Sequence, residues 1–199
     1  MLYSEKIKKA IKFAIKTHEV YQKQKRKGKD TAYISHPLTV GLILATAGAK
    51  EDVIVAGILH DTIEDSVEEK KVTEKMLADR FGEEVSNLVL SVTEKDKKLS
   101  WDERKKEALL HVEKFSYDSL LLKSADILSN VTELVDDYAK GGDSVFSRFN
   151  APKEKIIDNQ LKVIAAILDA WKENPLADDL KILKNDIQKI SALNENYGN

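Results

Sequence analysis

The chain has 199 residues, 42% hydrophobic and 33% charged, with 32 Lys+Arg against 34 Asp+Glu for a formal net charge of -2. Plentiful apolar residues and scarce Gly (8) and Pro (3) exclude a disordered, collagen-like or low-complexity chain, and the length suits one domain with a sizeable core. The near-neutral balance argues against a binder of long nucleic acids, and zero cysteines exclude a disulfide scaffold, a thiol nucleophile, an iron–sulfur cluster and a Cys-ligated zinc. Any metal must therefore be held by His and carboxylates.

Helical spacing runs nearly end to end. Ile7, Ala10, Ile11, Ala14, His18 and Tyr21 recur at three- and four-residue steps, predicting an amphipathic helix of about five turns. After a charged loop, Pro37 opens a second helix, where its missing N–H costs nothing, and Gly48 ends it. A third covers about Glu51–Asp65, and its nearly all-round apolar stretch Val53–Leu59 marks it as central. Shorter helices are expected at about 73–81 and 83–95. Ser100 and Glu103 form a capping-box pattern that starts a helix to about Phe115. Asp118–Lys140 is stopped by Gly141-Gly142, Pro152 begins a helix to about Glu173, and a last one at 177–193 precedes the polar tail 194–199. No convincing strand or repeat is present. The reading is an all-α bundle of about eight to nine helices in one domain, 1–193. Residues 1–30 carry charge throughout, and no apolar run approaches the roughly 18–20 residues of a membrane span. A cytoplasmic protein without membrane contact is expected.

There are only four histidines, so their placement is informative. His60-Asp61 closes the central helix and is followed by Thr62-Ile63-Glu64-Asp65. In a continuous helix His60 and Glu64, and Asp61 and Asp65, are i,i+4 neighbours. Desolvating those carboxylates without a compensating cation costs several kcal/mol each, by order of magnitude. His36 stands just before Pro37, and Asp126 sits among apolar residues with Asn130 one turn beyond. Taken singly, each has a plain explanation: a satisfied core histidine, an Asp126–Lys123 ion pair, solvated charges at a helix end. Taken together they point to a divalent metal. His18 reads as a histidine of the core or one supporting the site from behind, and His111, Trp101 and Trp171 read as structural.

The set His36, His60-Asp61 and Asp126 resembles the HD superfamily of metal-dependent phosphohydrolases. Arg26-Lys27, Tyr33-Ile34-Ser35-His36-Pro37, Leu59-His60-Asp61-Thr62-Ile63-Glu64-Asp65 and Ala125-Asp126 through Asn130 are most similar to the hydrolase domain of the RelA/SpoT family and its small stand-alone homologues, over residues 5–170. The resemblance implies one divalent ion, typically Mn²⁺, on His36, His60, Asp61 and Asp126. It implies Glu64 and Asp65 as the catalytic pair, and hydrolysis of guanosine tetra- or pentaphosphate at the 3′ position. It also implies Arg26 stacked on the guanine, and Lys27, Asn130 and Lys153 (or Arg148) on phosphate or sugar. The cations at 23, 25, 26, 27 and 29 fit such a nucleotide. Two positions depart from the pattern: Thr31-Ala32 stands where members commonly carry Pro, and no Tyr stands near the start of the penultimate helix. Another HD nucleotide phosphohydrolase, acting on nucleoside monophosphates or NADPH, and a non-catalytic nucleotide-binding HD domain are the alternatives. The expected partner is a small phosphorylated nucleotide. No protein partner is indicated, and no Gly-rich loop offers an ATP site for synthesis.

Overall fold

The computed structural model describes residues 3–94 and 99–192. The tail at 194–199, and the final residue of the helices expected at 83–95 and 177–193, lie outside the described residues. Among the described residues there are nine α-helices of at least eight residues, one single α-turn and no β-strand.

Helix α1 (Glu5–Ile15) is capped by Ser4, whose side chain accepts from the Ile7 N–H. It does not run on as an α-helix to Tyr21: Lys16–Tyr21 is a π-helical turn. Helix α2 (Ser35–Thr46) starts two residues before Pro37, which still falls in the first turn, where no N–H is needed. Helix α3 (Glu51–Leu59) is wholly buried from Val53 onward. The expected single helix to Asp65 is broken. Helix α3 ends at Leu59, His60-Asp61 form a turn with Asp61 at φ -92°, ψ -3°, and α4 (Thr62–Asp65) is a separate helical turn.

Helices α5 (Glu74–Phe81) and α6 (Glu83–Val92) form a hairpin joined at Gly82 (φ +95°). The capping box at Ser100 and Glu103 is present in both directions and starts α7 (Trp101–Val112). The long α8 (Tyr117–Gly141) leads through a 3₁₀ stretch, Gly142–Arg148, into α9 (Lys153–Ala170) and α10 (Ala177–Ala192).

Helix α3 is the axis, packed on α1, α2, α6 and α8. Its contact with α2 depends on two glycines. A Cβ on Gly57 would lie 2.4 Å from Leu44 Cδ1, and one on Gly41 would lie 2.7 Å from Ile58 Cγ1. Leu44 is fully buried and has nowhere to move. The two backbones therefore approach more closely than side chains would permit, which brings His36 on α2 to the end of α3.

This close approach is open to test. Gly57→Val is expected to lower unfolding free energy by about 2 kcal/mol through overpacking, read from urea denaturation. An unchanged midpoint with unchanged slope would contradict the tight α2–α3 contact.

Candidate metal and active site

Helices α2, α3 and α8 deliver imidazoles and carboxylates to one point. His36 and His60 are both almost fully buried, and their Nε2 atoms face each other at 3.2 Å. Asp126 Oδ1 lies 3.3 Å from His36 Nε2 and 3.8 Å from His60 Nε2. One donor atom from each of these three residues lies within 4.8 Å of the others. Asp61 joins from the side, its Oδ2 3.0 Å from His60 Nε2 and 3.6 Å from His36 Nε2.

The remaining atoms of these side chains are oriented from behind. His60 Nδ1 is 2.8 Å from the Gly57 carbonyl, which can only accept, so Nδ1 carries a proton and Nε2 is the atom left to bind. His36 Nδ1 meets the Ser129 hydroxyl at 2.9 Å. Tyr33 O–H donates to Asp61 Oδ2 at 2.6 Å, while Lys123 and the Asn130 amide donate to Asp126 at 2.8 and 2.7 Å. This is the usual support of metal-binding imidazoles, one nitrogen anchored and the other turned inward. Burial alone would lower the His60 pKa, but the Asp61 and Asp126 carboxylates outweigh it and push the ring up to about 9. The cluster draws positive charge to Nε2, and a divalent cation meets that demand with a donor set of nitrogen and oxygen that fits it.

Glu64 and Asp65 stand one turn beyond, on α4. Burial pushes the Glu64 carboxyl above its usual range, and the charges of Asp61, Glu94 and Asp65 add to the effect. Its Oε2 accepts the Glu94 backbone N–H at 3.3 Å. Asp65 Oδ2 accepts from the Gln24 amide at 2.9 Å. Because the chain breaks at Asp61, these carboxylates are placed by a turn and not by two rows along one helix.

A cavity of 650 Å³ opens onto the cluster, a volume suited to a nucleotide. One wall is the loop after the π turn, closed by an isolated bridge between Lys25 and Ala32. Two of its cations, Arg26 and Lys29, are paired with α8, and Lys25 pairs with Asp30 within the loop. Arg26 donates from Nε to Glu133 at 2.9 Å and from Nη2 to Asn130 at 2.8 Å, and its side chain is only 12% exposed. Lys29 bridges Glu133 and Asp137 at 2.7 Å each, and Arg148 pairs with Asp137 at 2.6 Å. Gly28, at φ +72°, admits the Arg148 side chain, whose Cδ lies 3.0 Å from where a Cβ would stand. The Lys27 ammonium sits 5.5 Å from the Phe149 ring centroid.

The cavity lining also includes Arg104 and Lys105 of α7, both paired with Glu94, and Lys123 of α8. Sequence reasoning missed Arg104 and Lys105, which belong to an unremarkable amphipathic pattern, whereas Lys123 forms the ion pair with Asp126 that the sequence suggested. It also missed Gln24 and Ser129, which sit beside the site residues only in three dimensions. His111, read as structural, also lines the cavity. Lys153, expected to meet phosphate, is placed elsewhere. It is not among the residues lining the cavity: its ammonium pairs with Asp143 at 2.6 Å and packs over the Tyr138 and Phe146 rings. Arg148, at the end of the preceding 3₁₀ stretch, does line the cavity.

The HD domain family model matches residues 10–157. Among curated proteins, the guanosine-3′,5′-bis(diphosphate) 3′-pyrophosphohydrolase MESH1 of Xenopus tropicalis is 37% identical over 130 residues, covering 64% of this chain and 69% of the relative. The guanosine-3′,5′-bis(diphosphate) 3′-pyrophosphohydrolase of Aquifex aeolicus is 37% identical over 134 residues, which cover 66% of this chain and 18% of that longer protein. A crystal structure of a Listeria monocytogenes protein superposes with a TM-score of 0.69 at 32% identity, covering 78% of this chain and 97% of that one. A metazoan ortholog of SpoT that hydrolyzes ppGpp shares the fold over 96% of both chains, with a TM-score of 0.71 at 24% identity.

Two measurements test this geometry. Mn²⁺ titration is expected to show one tight site, and Ser129→Ala is expected to weaken it about tenfold by freeing the His36 ring; an unchanged Kd would contradict that support. The second concerns the loop. Burial alone would raise the Glu133 and Asp137 carboxyls. Hydrogen bonds from Arg26 and Lys29 to Glu133, and from Lys29 and Arg148 to Asp137, outweigh it and hold both below their usual range. Depressed carboxyls stabilise above the ordinary range near pH ~4, and the gain is lost as pH falls through the depressed values. Glu133→Gln/Asp137→Asn is therefore expected to lower Tm at pH 7, with the gap to the unsubstituted protein closing under acid. A gap that persists at about pH 2 would contradict the pairing.

Proposed function

The chain belongs to the HD domain family, and we propose that it is a metal-dependent hydrolase of guanosine 3′,5′-bis(diphosphate) and the pentaphosphate, releasing pyrophosphate and leaving GDP or GTP. The observation that carries this reading is the His36, His60 and Asp126 cluster in a cavity lined by several Lys and Arg side chains. The names of the relatives at comparable length supply the substrate.

In this reading His36, His60, Asp61 and Asp126 hold one divalent ion, Mn²⁺ in the proposal, since a mixed nitrogen and oxygen set without sulfur accepts it readily. A cation there polarises a phosphoryl oxygen and lowers the pKa of bound water. Glu64, its carboxyl raised by burial and neighbouring charge, takes a proton from the attacking water. Asp65 orients that water. Attack falls on the phosphorus bound to the 3′ oxygen, the ester bond breaks, and the 3′ oxygen takes up a proton as pyrophosphate departs. Glu133 and Asn130 hold the Arg26 guanidinium through Nε and Nη2, and in this reading its plane stacks on the guanine base. Lys27 and Arg148 serve phosphate on one wall. Asn130, fixed between Asp126 and Arg26, bridges the metal site to the nucleotide. No helix among the described residues is long and apolar enough to cross a membrane, and the proposed setting is the cytoplasm.

The purified protein with Mn²⁺ is expected to release pyrophosphate from guanosine tetraphosphate. A panel with nucleoside monophosphates and NADPH discriminates: orthophosphate released only from those compounds would overturn the substrate assignment. Glu64→Gln/Asp65→Asn is expected to retain Mn²⁺ binding and lose at least about a hundredfold in kcat. Unaltered turnover in that double variant would overturn the catalytic pair.

A further inference from the structure

Behind Asp65 runs a short chain of polar side chains, Gln24 and the buried His18. His18 is fully buried, and its Nδ1 lies 3.1 Å from Gln24 Oε1. The Gln24 amide in turn donates from Nε2 to Asp65 Oδ2 at 2.9 Å. The directions of these bonds are fixed by chemistry. An amide oxygen cannot donate, so Nδ1 of His18 carries the proton, and the NH₂ of Gln24 must then face the Asp65 carboxylate. Nε2 of His18 is buried with no hydrogen-bond partner among the described residues, as an uncharged ring with its proton on Nδ1 permits. Burial lowers the His18 pKa, which keeps the ring in that form.

The backbone holds the same residues. The Gln24 N–H donates to the His18 carbonyl at 2.9 Å, and the Gln24 carbonyl accepts from Tyr33 N–H at 3.0 Å. His18 itself lies in the π-helical turn Lys16–Tyr21. One residue further along that turn, the Glu19 carboxylate accepts the Ile34 N–H at 3.0 Å. The turn is thereby stitched both to the segment that enters α2 and to the amide that touches Asp65. Local departures of this kind are frequent at functional sites, where they re-aim side chains.

We propose that His18 and Gln24 are positioning residues: the buried imidazole orients the Gln24 amide, and the amide holds the Asp65 carboxylate at one orientation toward the cavity. The π turn, and not the metal cluster, then sets the geometry of the catalytic pair. This inference rests on the reading of Asp65 as part of that pair.

The test uses the full chain with Mn²⁺ and guanosine tetraphosphate. Gln24→Met keeps length and approximate volume but removes the donor. It is expected to lower kcat about tenfold, the scale of a hydrogen bond to a charged group, while KM and the Mn²⁺ dissociation constant change by less than about twofold. His18→Phe is expected to match it, and His18→Gln, which keeps an N–H donor, to recover most of the loss. Gln24 is only half-buried, so if His18→Phe does not fold, the Gln24 series decides alone. The decisive comparison is with Asp65→Asn, in whose background Gln24→Met is expected to cost no further turnover. A full independent loss there, an unchanged kcat in Gln24→Met, or an effect confined to KM would overturn the relay. Wild-type turnover in Asp65→Asn alone would instead overturn the reading beneath it.

Discussion

Two imidazole nitrogens held 3.2 Å apart, with carboxylate oxygens of Asp61 and Asp126 beside them, are the constraint on which the rest of the molecule depends. Such a cluster requires positive charge at its centre, because buried carboxylates without a cation are costly. The fold is arranged to keep it from relaxing. Gly57 lets α3 lie close on α2 and also supplies the carbonyl that anchors His60. One residue therefore serves both the packing of the core and the direction of a donor atom. Ser129 and Asn130, adjacent on α8, support His36 and Asp126 in the same way.

Charge is distributed around this centre in pairs. The basic loop is latched to α8 through Glu133 and Asp137, and Arg104 and Lys105 of α7 are tied to Glu94. A net charge of -2 conceals this arrangement, since these cations are backed by their own carboxylates. Pairing lets a compact chain keep several Lys and Arg beside one cavity without strong self-repulsion. The same pairs make the loop a structured wall, closed by a turn at Gly28 and covered by Arg148.

Two departures from regular helix shape the site. The π turn at Lys16–Tyr21 redirects the chain into the loop, and the break at Asp61 detaches Glu64 and Asp65 from the axis of α3. Each places a polar side chain where a continuous α-helix would point it elsewhere. The functional groups thus come from the ends and interruptions of helices, while the uninterrupted middle of α3 is given over to packing.

The amino-acid sequence by itself determined the helical class and most element boundaries, through three- and four-residue apolar spacing and the cap at Ser100. It also singled out His36, His60 and Asp126 as ionisable residues that need a partner, while their grouping with Asp61 as one ligand set is what the family resemblance implies. Tertiary structure alone decided that Lys153 turns into an aromatic pocket and that Arg26 is engaged by Glu133 and Asn130. It alone placed Gln24 and Ser129 against site residues and brought Arg104 and Lys105 into the lining of the cavity. The break at Asp61 and the π turn also escaped the pattern, because both keep a spacing close enough to helical to look continuous. The physical reason is common to all of them. Periodicity records which side of an element faces the core, whereas the partner a charged side chain finds depends on distances between elements remote in the chain.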